Sequence, residues 1–113
     1  MKAINTTNNN ELAHNLTLAD TLLSRMAGLL GRKKIICGEG LWIKPCKGVH
    51  SFGMRYSIDV VFLDRNMRVL AVSHSLPPNR LTRLYINAAS VLELPSGTVV
   101  NSATTSGDRI CIT

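Results

Sequence analysis

The spacing of apolar residues predicts a chain built mainly from short β-strands. The clearest strand is Ile58–Leu63, where apolar side chains alternate onto both faces, which is typical of a central strand in a sheet. Val69–Val72 is its expected hairpin partner, because Asp64–Met67 between them has turn residues. Further strands are predicted at Ala3–Ile4, Leu12–Ala13, Leu41–Ile43, Leu84–Ile86, Val91–Leu94, Thr98–Val100 and Arg109–Ile112.

One stretch changes to helical spacing. Leucines and a methionine recur every three or four residues within Thr17–Gly31 and would form one apolar face. Thr17 and Asp20 have the spacing of a capping box, and Gly31 suits the end of the helix. The basic residues Arg32–Lys34 follow, where positive charge complements the helix dipole. The pattern predicts one α-helix here.

These elements define an expected fold class. Many short strands separated by turns, with one helix, predict a mainly β fold: an antiparallel barrel, or a jelly-roll-like sandwich with one α-helix in the N-terminal half. The chain has 113 residues, which is the usual size of one domain. We therefore expect residues 1–113 to form a single β-barrel or sandwich domain.

Composition narrows the expected location. No apolar run is long enough to span a bilayer, and the first ten residues lack the apolar core of a secretory signal. Three cysteines cannot all pair within one chain, which favours reduced thiols. A cytoplasmic location is therefore expected.

The chain is basic, with a formal net charge of +6 and a pI near 9.7. Most of the positive excess lies in the N-terminal half, which permits binding to phosphates or to an acidic surface. Only 4% of the residues are aromatic, and neither a stacking platform nor a recognition helix is evident. The sequence thus argues against nucleic acid as the partner and leaves a small ligand or a protein.

Five blocks of residues carry a family resemblance. They are Arg25–Arg32, Ser51–Met54, Ile58–Asp64, Val91–Gly97 and Gly107–Asp108. In this order they resemble the motifs of domain-of-unknown-function family 192, small bacterial and archaeal proteins without an established activity. The resemblance spans about residues 17–112 and implies a mainly β, jelly-roll-like barrel with a helix, but no catalytic residue. Two departures are Leu30, where the family often has Met, and the missing export signal that many members have.

The segment from Pro45 to Met54 holds a candidate metal or nucleophile site. Cys46, His50 and Met54 have C-x3-H-x3-M spacing, and sulfur ligands with an imidazole suit copper. In a strand, successive members would stand ~13 Å apart, so only a folded-back loop would unite them on a metal. A Cys46–His50 pair is a second hypothesis, because an imidazolium lowers a thiol pKa. Core packing of Cys46 and Met54 is the third.

Two acidic residues are predicted to lie in buried strands. Asp59 and Glu93 are each flanked by apolar neighbours, so each carboxylate needs a cation or several amide donors. Arg25 or Arg55 is the expected partner of Asp59. If the two carboxylates converged in one cleft, they would form an acid/base pair.

Two functions remain open at this point. The first is a non-enzymatic module that binds a ligand or partner in a polar cleft between the helix end and the Pro45–Met54 loop. Its expected binding residues are Arg25, Arg32, His50, Arg55, Asp59 and Glu93, and no cofactor is expected. The alternative is a copper or zinc protein, or a small enzyme, that uses Cys46, His50 and Met54, or the Asp59 and Glu93 carboxylates.

Overall fold

The computed structural model describes residues 1–21, 24–25 and 34–113. Within these ranges the chain forms strands and one short helix, and most predicted strands are confirmed. In chain order they are β1 (Ala3–Asn5), β2 (Asn10–Ala13), β3 (Asn15–Ala19), β4 (Glu39–Ile43), β5 (Ile58–Asp64), β6 (Val69–Leu76), β7 (Ala88–Pro95), α1 (Thr98–Asn101) and β8 (Ile110–Ile112).

The strands form two sheets. A three-stranded antiparallel sheet has the order β2-β1-β8, and a five-stranded sheet has the order β3-β4-β7-β5-β6. The β3–β4 pair is parallel and the other pairs are antiparallel, so the larger sheet is mixed. No closed barrel is found in the described part of the chain, and that prediction is wrong. The larger sheet stays open because β3 and β6 lie at its opposite edges and do not pair with each other.

Apolar side chains cover both faces of the five-stranded sheet. On the first face, Val61, Leu63, Leu92 and Leu94 pack against the three-stranded sheet. On the second face, Ile58, Val60, Phe62 and Val91 pack under loops that contribute Cys46, Val49, Met54, Tyr56 and Tyr85. The predicted alternation along β5 is confirmed, because Val61 and Leu63 belong to one core and Ile58, Val60 and Phe62 to the other.

Two loop segments, residues 44–57 and 77–87, form what we call the loop layer over the second face. They run antiparallel and are joined by backbone hydrogen bonds from Tyr85 N to Lys47 O at 2.9 Å and from Thr82 N to Val49 O at 3.0 Å. Ser51 is fully buried and ties the segments together further, since its hydroxyl donates to Pro77 O and accepts from Arg80 N. The loop layer is therefore held by hydrogen bonds rather than by sheet strands.

The predicted N-terminal helix differs from the structure where the two can be compared. Thr17 lies in β3, so the capping box of Thr17 and Asp20 is wrong. The helical turn is capped by Thr21, whose hydroxyl accepts from Ser24 N at 3.1 Å, while Ser24 Oγ accepts from Thr21 N. Ser24 and Arg25 are helical. The rest of the prediction, including the cap at Gly31 and the basic residue Arg32, lies outside the described residues.

Two further predicted strands are wrong. Leu84–Ile86 is irregular loop, because its backbone bonds to the facing loop. The side chains of Leu84 and Ile86 are exposed, and only Tyr85 between them packs against the second core. Thr98–Val100 belongs to α1 despite its β-branched residues. The N–H groups of Gly97 and Val99 donate to the Asp59 carboxylate, which supplies the cap that the local sequence lacks.

Candidate functional site

Glu93 lies in the middle of the larger sheet and faces the loop layer. It pairs with Leu41 of β4 on one side and with Val60 of β5 on the other. Because directly opposed residues share a face of the sheet, its carboxyl group lies among the apolar side chains of the second core. The alternation of side chains along β7 therefore places the Glu93 carboxyl group in the second apolar core.

The environment of Glu93 is unusual for a carboxyl group. Glu93 is 3% exposed, and its Oε1 atom is buried with no hydrogen-bond partner among the described residues. Burial raises the pKa of Glu93 to about 7 because the charged form loses its hydration. Near neutral pH the group is therefore an almost even mixture of carboxylic acid, which donates a hydrogen bond, and carboxylate, which only accepts.

The Cys46 thiol lies within electrostatic range of both Glu93 and Arg25. Burial raises the pKa of the Cys46 thiol, Glu93 raises it further, and the Arg25 guanidinium opposes both. Arg25 Nη1 donates to Pro45 O at 3.2 Å, whereas its Nε is buried and unpartnered in the described part of the chain. An unpaired donor and an unpaired acceptor thus both occur around one thiol.

The hypothesis of an activated Cys46–His50 pair is wrong. The Cys46 thiol donates to Gly48 O at 3.2 Å, and its raised pKa keeps it protonated. His50 is exposed, stacks on Phe52 with ring centroids 5.4 Å apart, and accepts from Phe52 N through Nδ1. The imidazole therefore belongs to the outer surface of the loop layer.

The three predicted metal ligands occupy different environments. Met54 is buried in the second core and Cys46 packs against it from the side, while His50 lies at the surface. No group of three or more His, Cys, Asp or Glu residues placed to hold a metal occurs within residues 1–21, 24–25 and 34–113. Met54 and Cys46 do contribute to core packing, and the hypothesis of metal binding by Cys46, His50 and Met54 stays a prediction.

Asp59 lies on the opposite face from Glu93 and has a structural role. Its Oδ1 accepts from Ser75 N at 2.8 Å, and its Oδ2 accepts from Gly97 N at 3.1 Å and Val99 N at 2.9 Å. The several amide donors predicted for it are confirmed. The predicted arginine partner is wrong, because neither Arg25 nor Arg55 forms a salt bridge with Asp59. The acid/base pair of Asp59 and Glu93 is also wrong, since neighbouring pairs in the β5–β7 register place them on opposite faces.

The remaining predicted binding residues lie apart from Glu93, or cannot be compared. Arg55 is exposed in the loop layer, and Arg32 lies outside the described residues. Sequence reasoning missed Ser51, whose hydroxyl joins the two loop segments. The family-like block Ser51–Met54 was the available signal, because it marks a position where a small hydroxyl is needed.

A shallow cleft of about 250 Å³ lies elsewhere, between β2, the turn before β4, and α1. His14, Cys37 and Asn101 contribute to its lining. The His14 ring contacts Glu11 Oε1 at 3.1 Å, and both side chains are well exposed. This cleft has no buried polar atom comparable with Glu93 Oε1, so the candidate site remains the region under the loop layer.

Fold and site together define a mainly β domain with a polar group buried in one apolar core. The chain belongs to the DUF192 family, described as an uncharacterized ACR, which it matches over residues 3–112. It is 32% identical to UPF0127 protein PH1112 of Pyrococcus horikoshii over 96 residues, which cover 82% of this chain and 83% of that protein.

Solved structures from two other organisms share the fold. A protein of unknown function from Novosphingobium aromaticivorans superposes with a TM-score of 0.85 at 18% identity, covering 98% of this chain and 82% of the other. A candidate transcription regulator from Sinorhizobium meliloti gives a TM-score of 0.79 at 20% identity, with 97% and 89% covered. At these identities the likeness concerns the fold alone. Among the described residues, no helix has the length and apolar character needed to cross a membrane.

Proposed function

We propose that this protein is a non-enzymatic binding module that takes a small ligand under the loop layer, with Glu93 as the anchoring group. The observation that carries the proposal is the buried Oε1 of Glu93, which has no hydrogen-bond partner among the described residues. Leaving a buried polar atom unpaired costs about 1–3 kcal/mol, and folded proteins rarely keep such a cost without a use. A ligand that donates a hydrogen bond to Glu93 Oε1 would remove this free-energy cost.

The surroundings indicate the chemistry of the ligand. Glu93 needs an N–H or O–H donor, and the buried Nε of Arg25 needs an acceptor such as a carbonyl or an oxyanion. Apolar side chains of the second core, including Leu41, Val60 and Met54, would contact the remaining part of the ligand. A small amide or hydroxy acid with an apolar body combines these features. A few placed polar groups in an apolar site are typical of small-molecule binding.

The protonated state of the Cys46 thiol supports binding rather than catalysis. The Cys46 thiol has a raised pKa, so little thiolate is present near pH 7. Asp59 is the other buried carboxylate in a strand. Both of its oxygens accept hydrogen bonds from backbone amides on the opposite face of the sheet. Asp59 is thus not available to Glu93 as an acid/base partner.

The test compares wild type with Glu93→Leu. Titration of ¹⁵N-labelled protein with a panel of small amides and hydroxy acids is expected to shift the amide resonances of Cys46, Gly48 and Glu93 for at least one class. The shifts should vanish in Glu93→Leu and persist in the control Glu11→Gln, whose carboxylate is exposed. Equal shifts in Glu93→Leu, or none with any compound, would contradict the proposal.

The pH dependence of stability provides a second readout. The folded-state pKa of Glu93, about 7, lies above its ordinary value of 4.5, so the folded state holds the proton more tightly. Its contribution to stability is fully present below pH 4.5 and is lost as pH rises through 7, by about 3 kcal/mol in total. Urea denaturation at pH 5 and pH 8 should show this loss in wild type. Glu93→Leu should lack it and be the more stable protein at pH 8, because no carboxylate remains buried.

A further inference from the structure

The loop layer exposes large apolar side chains together with a one-sided charge. Leu84 and Ile86 are 81% and 82% exposed, and Phe52 and Leu81 also present much of their surface to solvent. They are neighbours, because Leu81 bridges His50, which stacks on Phe52, and Leu84 lies against Gly48. The exposed apolar residues therefore lie on the two paired segments of the loop layer, with Ile86 two residues after Leu84, and we call them the apolar patch.

The charge of the loop layer has a single sign. Residues 44–57 and 77–87 contain Lys44, Lys47, Arg55, Arg80 and Arg83 and no Asp or Glu. These five cationic side chains account for most of the chain's net charge of +6. Two of the cations are held at defined places: Lys47 Nζ donates to Ile86 O and Ala88 O, and the Arg83 guanidinium lies 5.7 Å from the centre of the Tyr85 ring. A surface of this charge complements an anionic one.

We infer that the loop layer docks the protein onto an anionic phospholipid bilayer as a peripheral contact. Charge complementarity selects an anionic surface, because clustered lysines and arginines are attracted to acidic headgroups. The exposure of the apolar residues favours a bilayer over a peptide, since Leu84 and Ile86 leave most of their surface free to enter an apolar layer. Protruding apolar side chains insert at the boundary between headgroups and acyl chains, while neighbouring cations stay at the headgroups. This inference is independent of the ligand proposed for Glu93.

Co-sedimentation with vesicles tests the electrostatic half of the inference. Wild type should bind vesicles of phosphatidylcholine with 30% phosphatidylserine at low salt, bind pure phosphatidylcholine weakly, and dissociate as salt is raised. The double variant Arg80→Gln/Arg83→Gln should lower the partition coefficient roughly 30-fold. Its matched control, Lys2→Gln/Arg109→Gln, removes the same charge from the three-stranded sheet region and should change binding much less.

A second pair of variants tests the apolar half. Ile86→Ser should weaken binding about fivefold, because one inserted side chain is lost. Val100→Ser alters another exposed apolar residue, 69% exposed on α1, and should leave binding unchanged. All substituted side chains are exposed, so circular dichroism should show folded proteins throughout.

Three outcomes would overturn the inference. Equal loss of binding in the two charge variants would mean that net charge alone drives association. Equal binding to neutral and anionic vesicles would exclude a headgroup preference. Absence of vesicle binding at low salt, combined with binding to an immobilised acidic, leucine-containing peptide, would assign the patch to a protein partner.

Discussion

Asp59 organises the residues around it through backbone amides rather than through an arginine. One carboxylate holds the N–H of Ser75 in β6 and the N–H groups of Gly97 and Val99 at the start of α1. Ser75 has a φ of 49°, which is uncommon for a residue other than glycine, and its bond to Asp59 helps to hold that conformation. The sequence indicated that Asp59 needed partners. It could not identify them, because backbone donors carry no side-chain signal.

Asp59→Ala should lower the free energy of unfolding by about 4 kcal/mol, because three N–H groups lose a charged acceptor. Asp64→Ala is the control, since Asp64 accepts from Asn66 N and Arg68 N in an exposed turn, and we expect a loss of about 1 kcal/mol. Urea denaturation measures both. Similar losses in the two variants would show that the burial of Asp59 adds nothing.

Among the elements, strands were predictable and the loop layer was not. Near-continuous apolar runs identified β5 and β7, because both faces of the larger sheet are apolar. Thr98–Val100 resisted prediction because the Asp59 carboxylate and Gly97, with a φ of 96°, override its strand propensity. Leu84–Ile86 was predicted as a strand because its apolar side chains were expected to be buried. In the structure Leu84 and Ile86 are exposed.

Ser51→Ala should loosen the whole loop layer. The change removes the hydroxyl that pairs with Pro77 O and Arg80 N and leaves both groups unsatisfied, at a cost of about 2 kcal/mol. Hydrogen exchange should quicken at the amides of Val49, Thr82 and Tyr85, which join the two segments. Ser57→Ala, at a side chain without a described hydrogen bond, serves as control. Unchanged exchange in Ser51→Ala would mean that backbone pairing alone holds the layer.

At the scale of the molecule, the two ends of the chain meet in the three-stranded sheet. β1 lies between β2 and β8, and Lys2 and Thr113 exchange backbone hydrogen bonds at 2.8 and 3.0 Å. Such pairing of distant segments leaves no local pattern, which is why the sheet arrangement could not be read from the sequence. The predicted class, mainly β, depends only on local alternation and is confirmed. Glu93 and Arg25 were among the predicted binding residues and Cys46 among the predicted metal ligands, and their roles in a site stay predictions.

Ile110→Ala should destabilise the molecule as one unit. Ile110 is buried in the first core, so the cavity should cost about 3 kcal/mol. If residues 1–113 form a single domain, circular dichroism and Trp42 fluorescence should report the same shifted transition. Ile112→Ala, in the same strand but only partly buried, should cost less. A separate early transition would indicate that the three-stranded sheet unfolds alone.

β7 lies in the interior of the larger sheet, so its odd-numbered and even-numbered residues face different apolar cores. Substitutions at the two sets of positions therefore have different effects. Val91 and Glu93 face the loop layer, while Leu92 and Leu94 face the three-stranded sheet. Under the binding function proposed for Glu93, substitutions at the odd positions would alter ligand specificity, while those at the even positions would weaken the packing between the two sheets. Specificity and stability would then be tuned at alternate residues of a single strand.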